Sequence, residues 1–186
     1  MDGSRGGDPL INSFSLVAYL PEPLASFVNT LRWEIEPGCS SRSHLTALPP
    51  RHIVAATSQA ISEIETNLKD WEAFEVSLEN VEVFPVSKVI HLSIGHGSEA
   101  LLHLHRQLNR GALGFQEVFH YHPHVTLAQA LPPDQVERIT ALATERWRDY
   151  GQARSFLLDR LTLVQNTEAH GWQNLHEIFL RSPVRV

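Results

Sequence analysis

A chain of 186 residues, 42% hydrophobic and 19% charged, has ordinary globular composition and enough material for one sizeable core. Its formal charge is −6 and its only lysines are Lys69 and Lys88, which excludes a broad basic groove for long nucleic acid but leaves small anions and nucleic-acid ends. No apolar stretch approaches the roughly 18 to 20 residues that span a bilayer. The single cysteine, Cys39, cannot close an intrachain disulfide, and the amino terminus lacks the apolar run of a secretory signal, so a cytoplasmic protein is expected.

Residues 1–10 are rich in Gly and Asp and predict a disordered lead into one domain over residues 11–186. Ser13–Leu20 reads as a buried strand, after which Pro21 and Pro23 open a helix to about Glu34. The linker EPGCSSRS breaks that helix and delivers a strand over Ser43–Leu48. Pro49-Pro50 follows, with a helical period through about Trp71 whose inward stripe is Ile53, Ala56, Ala60, Ile61, Ile64 and Leu68. Phe74–Val86 and Lys88–Ile94 read as adjacent strands, and Glu99–Leu108 as a helix with Leu101, Leu104 and Leu108 inward. Then come a strand over Tyr121–Ala128, Pro132-Pro133, a helix to about Tyr150, and a terminal hairpin of Ser155–Gln165 and Trp172–Leu180. The fold class is α+β with mostly antiparallel sheet.

Two segments of this series resemble each other, HLTALPPRHIVAATSQAI from His44 and HVTLAQALPPDQVERITAL from His124. Each carries His-x-Thr on a strand, then Pro-Pro, then an amphipathic helix, which points to two related lobes. On a strand, residues i and i+2 share a face about 6.6 Å apart, so His44 projects with Thr46, and His124 with Thr126. If the two strands meet across the lobe boundary, a cleft results with two proton-transfer groups and two hydroxyl donors. A phosphodiester needs that set: one group to take a proton from the nucleophile, one to protonate the leaving oxygen, and donors for the non-bridging oxygens.

The motif by itself is cheap. Composition alone supplies about 1.4 His-x-Ser/Thr matches, and two others occur, His91-Leu-Ser93 and His96-Gly-Ser98. The first reads as core strand, and in the second Ser98 reads as a helix N-cap.

The segments SHLTALPPR and HPHVTLA resemble the paired His-x-Thr motifs of the 2H phosphoesterase superfamily, which includes 2′-5′ RNA ligase-like proteins and cyclic phosphodiesterases. The likeness runs from the first strand to the terminal hairpin. It implies a bilobal, pseudo-twofold fold with flanking helices around a central cleft. It also implies His44 and His124 as the acid/base pair, Thr46 and Thr126 as phosphate ligands, no cofactor, and a nucleotide or RNA-end substrate bearing a cyclic phosphate or a 2′-5′ linkage. Many relatives carry a basic residue after the second motif, where this chain has Gln129. Arg42 and Arg51, flanking the first motif, are the candidates to supply that charge, against solvated surface roles for each.

Other readings compete for the same residues. His120, His122 and His124 alternate and imitate a metal-binding strand, although no carboxylate nearby completes a ligand set. Tyr121, Phe119 and Trp172 are candidates to stack on a nucleobase, against the commoner fate of aromatics as core. His52, His103 and His105 read as solvated helix residues and His170 as loop, while His176 is a possible cleft residue. A non-catalytic RNA or nucleotide-binding module remains the alternative to an enzyme.

Overall fold

The computed structural model describes residues 9–39, 41–169 and 171–182. In chain order the elements are β1 (Leu10–Tyr19), α1 (Leu24–Ile35), β2 (His44–Arg51), α2 (Thr57–Leu68), β3 (Phe74–Val83), β4 (Ile90–Ile94), α3 (Ser98–Leu108), β5 (His124–Ala128), α4 (Val136–Arg148), β6 (Ser155–Leu158), β7 (Arg160–Thr167) and β8 (Trp172–Phe179). They build two four-stranded sheets, ordered β2-β1-β7-β8 and β5-β4-β3-β6. Every ladder between these strands is antiparallel. This is the expected α+β bilobal architecture. The motif strands β2 and β5 are each the end strand of a sheet, and they lie against one another across the lobe boundary.

The halves are built alike and then exchanged. Strand, helix and motif strand recur as β1-α1-β2 and β4-α3-β5. Yet α1 packs on β5 of the other sheet, and α3 packs on β2. One buried cluster therefore runs through both lobes, with Leu16, Leu45 and Leu161 from the first sheet and Leu92, Val125 and Leu158 from the second. Burying a leucine stabilises by about 1.5–3 kcal/mol, and here those increments hold the two sheets to each other as well as to their helices.

Several expected boundaries move, for physical reasons. β1 begins at Leu10, inside the stretch expected to be disordered; residues 1–8 lie outside the described residues. β2 continues through Pro49-Pro50 to Arg51, so this pair does not open a helix: an end strand tolerates residues that cannot donate to a ladder. α2 starts only at Thr57 and stops at Leu68. Ser98 is the first helical residue of α3, with Gly97 at the cap. β5 begins at His124, leaving residues 120–123 as connection. The expected strand Ser155–Gln165 is two strands parted at Asp159, one in each sheet. Its inward residues step from Phe156 and Leu158 to Leu161 and Leu163, and that three-residue step breaks the period of two, turning the chain from one sheet into the other.

Arg51 is not at the cleft surface as a free cation. Its guanidinium pairs with Glu117 at 2.5 Å and donates to Asn109 Oδ1 at 2.7 Å and to the Leu113 carbonyl at 2.8 Å. With a side chain only 1% exposed, it ties the end of β2 to the 109–117 connection. Removing one partner of such a pair strands the other charge at a cost of about 3–5 kcal/mol. Denaturant unfolding of Arg51→Ala is expected to show a loss of that size, whereas exposed Arg42→Ala stays within about 0.5 kcal/mol of the parent.

Candidate active site

The site is built where β2 and β5 meet. Thr46 and His44 pair in register with Val17 and Tyr19 of β1, while Thr126 and His124 pair with His91 and Ser93 of β4. Both histidines and both threonines line one cleft of about 1200 Å³. Each half-buried imidazole is held the same way. His44 Nδ1 lies 2.7 Å from the Arg42 carbonyl oxygen, and His124 Nδ1 lies 2.7 Å from the His122 carbonyl oxygen. A carbonyl only accepts, so in both rings Nδ1 carries the hydrogen and Nε2 is left as the free nitrogen. Among the described residues neither the Thr46 nor the Thr126 hydroxyl bonds to a protein partner.

Electrostatics keep both rings neutral near pH 7. His44 titrates below the ordinary histidine range, first because burial disfavours its charge, and then because Arg32 and His124 repel it, against the opposing pull of the Arg42 carbonyl. His124 is lowered by burial too, with His122 adding to it and the His122 carbonyl opposing. The arginine whose charge acts on His44 is one that sequence reading passed over. Arg32 of α1 is buried, lines the cleft, and reaches the Arg42 carbonyl at 3.4 Å and Cys39 Sγ at 3.0 Å. It has no carboxylate partner among the described residues.

A third imidazole stands beside the second motif. His91 is 1% exposed, stacks on Phe84 at 3.9 Å between ring centroids, and meets the His124 ring at 5.3 Å. Its Nε2 is buried without a partner. Burial, then the neighbouring His124, push its pKa down to about 4, so it is neutral near pH 7. The expectation of a core-strand residue holds, but this one abuts the site. The signal was its alternation with Ser93 on a strand, which says which face but not which neighbour.

Tyr121 lines the cleft and is tied to protein on one ring face, while His105 departs from its expected solvated position. The Tyr121 hydroxyl donates to the Thr46 carbonyl at 2.8 Å, bridging the residues before β5 to β2, and its ring stacks on His105 at 3.9 Å and 7°. One ring face is thus occupied by protein rather than left for a base. Burial raises its phenol well above the ordinary range, with Glu117 adding to the effect. His105 is buried instead of solvated, with Nδ1 at 2.9 Å from the Ala47 carbonyl and Nε2 at 3.4 Å from Glu117. The helix exchange puts it there, since α3 packs behind β2 rather than behind its own lobe's strand.

The remaining candidates sort out by position. Arg42 is exposed at the cleft, with its guanidinium carbon 4.0 Å above the Tyr19 ring. Gln129, Phe119 and Trp172 line the cleft. His120 and His122 are exposed on the connection before β5. Among the described residues no group of three or more His, Cys, Asp or Glu is spaced to hold a metal ion. His103 is exposed, His52 bonds the Asn12 carbonyl, and His176 pairs with Glu65 at 2.8 Å, on the α2 side. His170 lies outside the described residues. No described helix is long and apolar enough to cross a membrane.

Known proteins share this architecture and order. A Bacillus licheniformis protein, named as a candidate phosphoesterase, is 25% identical over 177 residues, covering 90% of this chain and 97% of the relative. Escherichia coli LigT in its apo form superposes with a TM-score of 0.65 at 17% identity, over 92% of this chain and 98% of LigT. LigT complexed with 3′-AMP gives 0.61 at 18% identity, over 91% and 98%. The sequence pattern of the 2′-5′ RNA ligase superfamily matches residues 20–170. With both motif strands, the helices between them and the whole second sheet inside that match, the chain belongs to the 2′-5′ RNA ligase superfamily.

Proposed function

We propose that this chain is a two-histidine phosphoesterase acting on RNA-type phosphodiesters, with a 2′,3′-cyclic phosphate as its simplest substrate. The observation that carries the reading is the matched pair of Nδ1-to-carbonyl bonds. They give one cleft two identically prepared Nε2 atoms, each with a threonine hydroxyl two residues along the same strand face. The nucleotide in the LigT complex with 3′-AMP supports this ligand class.

The chemistry follows from the groups present. A neutral imidazole Nε2 takes the proton of an attacking water as its oxygen bonds to phosphorus. The other imidazole, protonated, gives its Nε2 proton to the ribose oxygen as the opposite P–O bond breaks. The product is a phosphomonoester and a free ribose hydroxyl. The pair has then exchanged one proton, and solvent restores the starting state. Run with a ribose hydroxyl as nucleophile, the same site joins ends. Thr46 and Thr126 donate to the non-bridging oxygens, and buried Arg32 offsets their charge. These steps require no Lewis acid.

His44→Ala and His124→Ala are each expected to lower kcat/KM on a 2′,3′-cyclic nucleotide by about 10²–10⁴-fold, with unfolding transitions unchanged. Retention of near-parental turnover by either variant contradicts the pairing, and loss of activity in EDTA restored by one divalent ion moves the His120, His122 and His124 metal reading to the front.

The pH dependence has a definite sign. Catalysis uses the pair with one proton, and both rings bind that proton more weakly than free histidine, which titrates near about 6.5. The singly protonated pair therefore peaks on the acid side. The profile of kcat/KM should be a bell with its maximum below about pH 6.5, its limbs belonging to the pair as a whole. A flat profile, or a maximum on the alkaline side, contradicts the two-imidazole chemistry.

A further inference from the structure

We propose that Tyr19, Arg42, Trp172 and Asn174 form a base-recognition subsite on the His44 side of the cleft, taking a flat ring with a hydrogen-bond-accepting edge, such as a nucleobase joined to the reacting phosphodiester. The proposal rests on the phosphodiester reading above and adds where the rest of the substrate sits.

Tyr19 is directly opposite His44 in the β1–β2 register, so both side chains project from one sheet face. Its hydroxyl donates to Asn174 Oδ1 at 2.7 Å. That bond fixes the carboxamide and leaves the Asn174 amide nitrogen, two donors without a protein acceptor among the described residues, for a ligand. Trp172 precedes Asn174 by two residues on β8 and shares its face, opposite Asn166 and Val164 of β7. Arg42 lies over the Tyr19 ring at 4.0 Å, and its exposed guanidinium has no carboxylate partner among the described residues. All four side chains line the same cleft as His44. Tyr19 titrates above the ordinary phenol range, because burial outweighs the opposing Arg42 charge and Glu177 adds to it; it stays a neutral donor.

The corresponding position of the other lobe is built differently. The residue opposite His124 is Ser93, whose hydroxyl is engaged with the Asn80 backbone. Beside it, the ring of Phe84 stacks on His91. The pseudo-twofold thus breaks at the residues facing the two motif histidines, Tyr19 on one side and Ser93 on the other. Arg42, expected from sequence to hold phosphate, becomes part of a stacking wall: an indole, a guanidinium face and an amide donor recognise a base by its plane and its acceptors.

Calorimetric titration of the full chain with a nucleoside 3′-monophosphate and with its base-free methyl riboside 3-phosphate separates this subsite from the phosphate site. The parent should bind the base-bearing ligand about tenfold or more tightly. Trp172→Ala and Asn174→Ala should each lose most of that preference while binding the base-free ligand within about twofold of the parent. Tyr19→Phe, which removes only the hydroxyl that aims Asn174, should lose part of it. Equal affinity of the parent for both ligands overturns the subsite, and so does a preference that survives in the variants or a parallel loss for both ligands. Turnover of the cyclic nucleotide, followed alongside, tests the catalytic reading by itself: a base preference that depends on Trp172 and Asn174 without turnover removes the phosphoesterase and keeps the subsite.

Discussion

Each motif histidine is oriented by a hydrogen bond to the carbonyl two residues before it. His44 bonds Arg42 and His124 bonds His122, within a span too short for tertiary structure to disturb. The bond settles which nitrogen holds the hydrogen and which is left unprotonated toward the cleft. The fold's contribution is to bring two such units face to face. It does so by making β2 and β5 the end strands of their sheets and abutting them. The same i−2 arrangement recurs at His91, whose Nδ1 lies 3.4 Å from the Val89 carbonyl, but there Phe84 covers the ring, and an imidazole similarly tethered is withheld from the cleft.

The exchange of helices between lobes is what makes the two units one site. With α1 behind β5 and α3 behind β2, neither lobe can complete its packing alone. Tyr121 and His105 fasten the junction from one side by stacking and by bonds to the Thr46 and Ala47 carbonyls. Arg32 fastens it from the other, through the carbonyl that also holds His44. A displacement at this junction would move His44 relative to His124, and under the proposed chemistry a misplacement of about 1 Å would cost about 10²-fold in rate.

Much of this was legible in the chain. Strand alternation places His with Thr on one face, and the repeated strand, Pro-Pro and helix announces two lobes. What escaped were facts of partnership. Arg51 and Arg42 flank one motif and look equivalent in sequence; one is buried in an ion pair by a connection more than sixty residues away, and the other is exposed. His105 sits on a helix whose leucine stripe already explains its inward face, so nothing local reveals that the histidine is inward too. The change of sheet at Asp159 was written in a three-residue step between apolar pairs, which reads as continuous strand unless the second sheet is already known. Arg32, in the last turn of an amphipathic helix, carries no motif at all.

The proposed two-imidazole chemistry turns on the shared ring state of His44 and His124, and that state is directly observable. Long-range proton–nitrogen correlation spectra of the histidines, assigned through His44→Gln and His124→Gln and recorded near about pH 7.5, where free histidine is mostly neutral, report which ring nitrogen is protonated. Both rings should show the Nδ1–H form with an unprotonated Nε2. An Nε2–H form at either histidine, or averaging between the two forms, would mean that the carbonyl bonds do not hold the rings and would contradict the mechanism built on them.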